Sequence, residues 1–315
     1  GNAQTLRVLA RLEPKRFDAS GASVGLNLTR AVLDASCKYP WSRSAPEIDD
    51  AEGRVKFGYY EDDAHIFEWV REGVEERRRC VEAQVMDLSD DIAYSVHDFE
   101  DAVVSGYIDP ELLTLRSGHG ALIRAISEWA GGKFTSDELA AAFDRIESAP
   151  TWLSTWEGSR VDQAQLKNFT SDMIGRFARA SIQATREHAA PGPLARYGAD
   201  VIVPREVRAE IAVLKGIVAA FVMASGRRQP TYRRQRELLV DLLEALWATG
   251  PDELDPAFAA DFRAATDEGA ARRAVVDQLA SLTDQSAIAC EGSAPSDPPV
   301  GTRANATAAD HASRD

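Results

Sequence analysis

Residues 81–104, VEAQVMDLSDDIAYSVHDFEDAVV, carry carboxylates at Glu82, Asp87, Asp90, Asp91, Asp98, Glu100 and Asp101 among apolar side chains. Acids in that setting either hydrate a surface or hold a cation and accept hydrogen bonds from a substrate. At 3.6 residues per turn Asp90, Tyr94 and Asp98 recur at i, i+4 and i+8 on one stripe, which Asp101 extends. Ile92, Val96, Phe99 and Val103 mark a different face, the core face. A wet helix face is the default reading. Three features oppose it. Asp outnumbers Glu although Glu is the better helix former. No Lys or Arg follows at i+4 to relieve the repulsion. Met86, Ile92, Ala93, Val96, Phe99 and Ala102 leave little circumference for water, which predicts a substantially buried helix, and buried carboxylates must be paired or hold a metal.

Other polar residues carry weaker signals. Lys38 of CKYP and Lys56 of VKFG sit beside aromatic residues at element ends; on their own they read as surface lysines, and Tyr39 and Tyr94 as core aromatics. The histidines are His65, His97, His119, His188 and His311. None forms an HxxxH pair, and the adjacent His97 and Asp98 lie on the acidic helix itself, where His97 reads as a helix-face residue. Tyr232, Arg233, Arg234 and Arg236 form a basic turn that reads equally well as solvated surface.

The elements that must position these residues are almost all helical. Apolar spacing predicts helices over 2–12, 26–39 with Pro40 as the stop, 62–78, 81–105, 109–116, 119–130, 135–147, 161–187, 204–225, 230–248, 255–266 and 268–283. Thr135 and Glu138 have the spacing of a capping box. WSRSAPEIDDAEGR reads as a loop and VKFGYY as a short extended piece. YGADVIVP, residues 197–204, is the one convincing strand-like run. From 288 onward Pro, Ser, Gly, Ala and Asp predominate with little to bury, so a disordered tail is expected over 288–315. The prediction is all-α, with a single core over 1–287.

Composition bounds the rest. The chain has 315 residues, 44% hydrophobic and 27% charged, enough for a sizeable core. A net charge of −14 argues against a broad nucleic-acid footprint. Cys37, Cys80 and Cys290 are widely spaced without a CxxC pair, as expected of reduced thiols in a cytoplasmic protein. No apolar run approaches the ~20 residues of a membrane span. The chain opens GNAQTLRVLARLE, without an initiator Met and already in helical period, which predicts a fragment of a longer protein.

Taken in order, GNAQTLRVLARLE, GLNLTRAVLDASCKYPW, VKFGYY and EAQVMDLSDDIAYSVHDFEDAV resemble the deoxyguanosinetriphosphate triphosphohydrolase-like branch of the HD-domain phosphohydrolases. The likeness is strongest over the first 105 or so residues and continues more weakly to about 250 through LKNFTSDMIGRF and VPREVRAEIAVLKGIV. The resemblance implies an HD-type helical fold that hydrolyses a deoxynucleoside triphosphate, dGTP-like, to the deoxynucleoside and inorganic triphosphate. It implies a divalent metal, Mg or Mn, held by two His and two Asp, of which the distant Asp maps onto Asp90, with Asp91 in reserve. Tyr94 and Asp98 match positions facing the deoxyribose; Asn2, Lys38, Tyr39 and Lys56 match positions contacting the triphosphate. Glu82, Asp87, Glu100 and Asp101 are left as solvated or capping residues, and Arg236 stands as an unmatched candidate for base recognition. Homo-oligomers and single-stranded DNA or nucleotide effectors are further implications. The chain lacks the His and His-Asp motifs, so no catalytic residue is assigned and the fragment alone is expected to be inactive. The competing expectation is a catalytically incomplete nucleotide-binding or oligomer-scaffold protein of the same fold.

Overall fold

The structure, a computed structural model, describes residues 2–49, 54–75, 77–192, 194, 196–223 and 229–291. Thirteen α-helices and one two-stranded hairpin make up the α and β elements among these residues, so the all-α expectation holds. The chain divides into two compact units, 1–227 and 228–315, in place of one core running to 287.

The first unit holds α1 (Asn2–Arg7), which runs into a π-helical turn at Val8–Leu12, then α2 (Arg30–Ala35) and the hairpin β1 (Glu47–Asp49) and β2 (Arg54–Lys56). It continues through α3 (Ala64–Arg71), α4 (Val81–Val104), α5 (Pro110–Thr114), α6 (Arg116–Trp129) and α7 (Ser136–Glu147). α8 (Arg160–His188), α9 (Arg205–Val218) and a π-helical turn at Ala219–Met223 complete it. The second unit holds α10 (Gln229–Thr249), α11 (Pro256–Ala264), α12 (Glu268–Ser281) and α13 (Asp284–Glu291). The tail expected over 288–315 lies outside the described residues from 292 on, and its first residues belong to α13.

Side-chain caps set several boundaries. Thr135 and Glu138 form the expected capping box at the start of α7, with the Thr135 N–H donating to Glu138 Oε2 at 2.8 Å. Ser159 and Asp162 do the same for α8. Asp63 occupies the N-cap position of α3 without capping it, because its carboxylate accepts from the buried Arg7 Nη1 at 2.9 Å. α3 stops at Arg71, short of the predicted 78, and Gly73 follows with φ +76°.

The main core forms where α4 presents Ile92, Val96, Phe99 and Val103 to Phe143 and Ile146 of α7, Phe169, Met173 and Phe177 of α8, and Leu214 of α9. Phe99, Trp152 and Phe169 stack and tilt with ring centroids 5.5 to 6.0 Å apart, pairings worth about 0.5–1.5 kcal/mol each beyond area burial. A second cluster joins Leu6 and Ala10 to Leu33, Cys37, Phe67 and Val70, fastening the first helix and its π-helical turn to α2 and α3.

Residues 197–204 form no strand. Their amides are satisfied by helix side chains instead: Val201 N–H donates to Gln84 Oε1 and Ile202 N–H to Thr185 Oγ1, both at 2.9 Å. The hairpin lies elsewhere. β2 covers the start of VKFGYY, and its partner β1 comes from the segment read as loop.

Two buried carboxylates stitch the unit together. Glu210 of α9 accepts from Arg145 Nε of α7 and Arg176 Nη2 of α8, each at 2.5 Å. Asp34 of α2, 1% exposed, accepts from Arg71 Nη1 at 2.8 Å and from Arg196 and Tyr197. Arg196 continues outward: its C=O accepts from Val81 N–H at 2.6 Å and its own N–H donates to Glu82 Oε1 at 3.2 Å. Burial, with the Asp34 hydrogen bond and charge, pushes the Tyr197 phenol up to about 12, so it stays a donor.

Two outcomes follow. Replacing Asp34 by Ala leaves Arg71, Arg196 and Tyr197 without their shared acceptor, and is expected to cost about 3–5 kcal/mol in urea unfolding. A midpoint unchanged from wild type would remove Asp34 from its structural role. Burial raises the thiols of Cys37 and Cys80 to about 12 and about 11, whereas Cys290 is exposed. At pH 8 a disulfide reagent should therefore modify one thiol of the native protein quickly and all three only in denaturant.

Candidate functional site

α4 has three sides. One is the core face described above. A second, at its N-terminal half, is occupied by ion pairs. Asp87 holds Lys38 on Oδ1 and Arg79 Nη1 on Oδ2, the latter at 2.7 Å, and Asp91 one turn on accepts from Lys215 Nζ of α9 at 2.6 Å. Burial pulls the Lys38 pKa down, but the hydrogen bond and charge of Asp87, with Asp91 behind it, outweigh burial and leave it above the ordinary lysine value. The ammonium is therefore cationic at any neutral pH.

The third side is open. Asp90, Ala93, Tyr94, His97, Asp98 and Asp101 are exposed, Tyr94 by 58%. This corrects the expectation of a substantially buried helix. The small and apolar positions wrap less of the circumference than their number suggested, because Ala93 itself lies in the open face. The repulsion among the acids is relieved from a distance, by Lys38, Arg79 and Lys215, not by neighbours at i+4.

Of the expected phosphate-contacting residues, Lys38 is the one that reaches α4 among the described contacts. Lys38 and Tyr39 follow α2, with Lys38 seated on Asp87 and 5.8 Å from the Tyr39 ring centroid. Tyr39 packs against Trp41 at 5.4 Å between ring centroids, and Trp41 Nε1–H donates to the Lys56 carbonyl at 2.7 Å. Gly58 brings β2's end against the same turn, where a Cβ would fall 1.8 Å from the Tyr39 carbonyl oxygen, so no other residue fits. The Trp41 indole and the close approach of Gly58 thus hold the backbone at Lys56 beside the turn that carries Lys38 and Tyr39. Asn2 opens α1, whose Leu6 shares an apolar cluster with Cys37, the neighbour of Lys38. Asp90 lies three residues beyond Asp87 on the same helix, and Tyr94 and Asp98 continue from it along the open face.

Asp87, Asp91, Arg79 and Lys215 carry the charge architecture here, and the sequence reading assigned Asp87 to solvent or capping and kept Asp91 in reserve as a ligand. The i, i+4 spacing of the two acids was visible; their partners were not, since Lys215 is 124 residues away from Asp91. His97 is a helix-face residue as read, 3.8 Å from Glu100 Oε2. Glu100 is no free solvated acid: it accepts from Thr170 Oγ1 at 2.7 Å and Lys167 Nζ at 3.0 Å. Arg236 is exposed on α10 in the second unit.

A divalent ion needs several ligands at one point. Among the described residues no three His, Cys, Asp or Glu side chains are placed to share an ion. Asp90 is available as one donor, and the residues described here do not complete a metal site around it.

The phosphohydrolase-associated domain family matches residues 201–291. The deoxyguanosinetriphosphate triphosphohydrolase-like protein of Streptomyces coelicolor is 49% identical over 288 residues, 91% of this chain and 67% of that protein. Those of Bifidobacterium longum and Corynebacterium diphtheriae are 44% and 40% identical, covering 92% and 90% of this chain and 62% and 66% of those proteins. The chain therefore spans about two thirds of the length of these relatives. Among the described residues no helix is long and apolar enough to cross a membrane. On this likeness the chain belongs to the deoxyguanosinetriphosphate triphosphohydrolase-like family, within the HD phosphohydrolases.

Proposed function

We propose that the whole protein hydrolyses a deoxynucleoside triphosphate, dGTP-like, to deoxynucleoside and inorganic triphosphate, and that this chain supplies the substrate-holding side of the site. The observation that carries this reading is Lys38, docked on α4 through Asp87 one helical turn from Asp90. A triphosphate needs several cationic and hydrogen-bonding partners. Lys38 and Lys56 offer ammonium groups, and Asn2 and Tyr39 offer an amide and a phenol. Along the open face, the Tyr94 ring offers a flat apolar surface to a deoxyribose, and the Asp98 carboxylate accepts a hydrogen bond from a sugar hydroxyl.

Asp90 serves as one ligand of a divalent ion, Mg or Mn, whose remaining ligands lie outside the described residues. No step of the reaction is assigned to this chain's side chains beyond binding and orienting the substrate. A cytoplasmic homo-oligomer fits the relatives' nucleotide chemistry. Effector nucleotides or single-stranded DNA are read from family resemblance alone.

Two assays test the reading. Chain 1–315 with dGTP and Mn or Mg is expected to release no inorganic triphosphate by phosphorus NMR, and measurable turnover would overturn the division of labour proposed here. In a protein spanning the full length of the relatives, Asp90→Ala is expected to lose bound metal and to cut dGTP hydrolysis by at least about 100-fold. Unchanged metal content would move the ligand to Asp91 or discard it. If the full-length form binds dGTP and hydrolyses none, the protein is the catalytically incomplete nucleotide-binding module instead.

A further inference from the structure

A cleft of about 370 Å³ lies beside the N-terminal half of α4, with Arg79, Gln84, Asp87, Asp91 and Arg208 among its lining residues. Lys38 and Arg79 converge there on the two oxygens of the Asp87 carboxylate, one from the turn after α2 and the other from the residues just before α4. One carboxylate offsets only one of those two charges. Lys215 and Asp91 cancel, and Asp200, which accepts from Gln84 Nε2 at 2.9 Å, offsets the further cation Arg208, so Lys38 and Arg79 against Asp87 leave one net positive charge around the cleft although the chain as a whole is at −14.

We propose that Arg79 is a second triphosphate-binding cation, held beside Lys38 by Asp87. The inference rests on the assignment of Lys38 to the triphosphate. The geometry favours it in three ways. Both heads are fixed in place yet reachable, with Lys38 20% and Arg79 35% exposed. Each keeps spare donors, since an ammonium has three and a guanidinium five, and Arg79's one side-chain hydrogen bond goes to Asp87. The guanidinium fork also offers two parallel N–H groups to two oxygens of one phosphate, a planar geometry that an ammonium lacks. Because Asp87 already orders both side chains, little rotamer freedom remains to be lost when the anion binds.

The test is calorimetric titration of inorganic tripolyphosphate into chain 1–315 at constant low salt. Arg79→Met is expected to weaken binding about tenfold, as Lys38→Met does, in line with the loss of a charge-assisted hydrogen bond. Arg30→Met removes the same charge from an exposed pair with Glu72, and is expected to change affinity less than about twofold. Circular dichroism confirms folding, and Arg79→Gln, which keeps a donor for Asp87, provides a second removal of the charge. Wild-type affinity in both Arg79 variants, with Lys38→Met impaired, would overturn the inference and leave the Lys38 assignment standing. Absence of tripolyphosphate binding by the wild-type chain, or full binding by Lys38→Met, would overturn the triphosphate assignment itself and this inference with it.

Discussion

The buried carboxylate of Asp34 is the point on which the arrangement of the first unit depends. It gathers Arg71 from the end of α3, Arg196 and Tyr197 from the segment before α9, and so joins three parts of the chain far apart in sequence. A carboxylate with almost no access to water is stable there only because each partner brings a donor. Arg196 passes the constraint on to the first turn of α4 through Val81 and Glu82. Lys38 lies four residues beyond Asp34, in the turn that follows the end of α2. Fixing Asp34 against the α4 N-terminus therefore also fixes where Lys38 can reach, and it reaches Asp87.

The helical frame was largely legible because it rests on local rules. Apolar spacing marked the core face of α4, and the Thr135 and Glu138 pair marked the start of α7. The failures all involve distant partners. Asp63 stands at the N-cap position of α3, yet its carboxylate is the acceptor for Arg7, 56 residues away. Residues 197–204 have the composition of a strand, but Gln84 and Thr185 satisfy their amides from two helices. Glu210, deep under α7 and α8, has no sequence signature, since its two arginines come from other helices. The candidate site divides along the same line. The stripe of Asp90, Tyr94 and Asp98 follows from helical period alone. The roles of Asp87 and Asp91 depend on lysines and an arginine that only the fold brings near.

α4 thus separates three tasks by angle around one helix. Its apolar side holds the core, its second side grounds cations from other elements, and its third side stays open with Tyr94 and Asp98. The separation explains how so acidic a helix persists beside a buried core: the acids that approach other elements are matched by cations, and the rest face water, where mutual repulsion is screened.

The contact between Gly58 and the Tyr39 carbonyl has a consequence for how this protein can vary. Trp41 clasps the Lys56 carbonyl, and Gly58 closes against Tyr39, so the excursion between them is pinched at its base. A side chain at position 58 would push the Tyr39 carbonyl, and with it the turn that carries Lys38, away from the strand end that carries Lys56. The spacing of the two lysines along the chain fold is thus tied to the absence of a single Cβ atom at a residue that contacts no ligand itself.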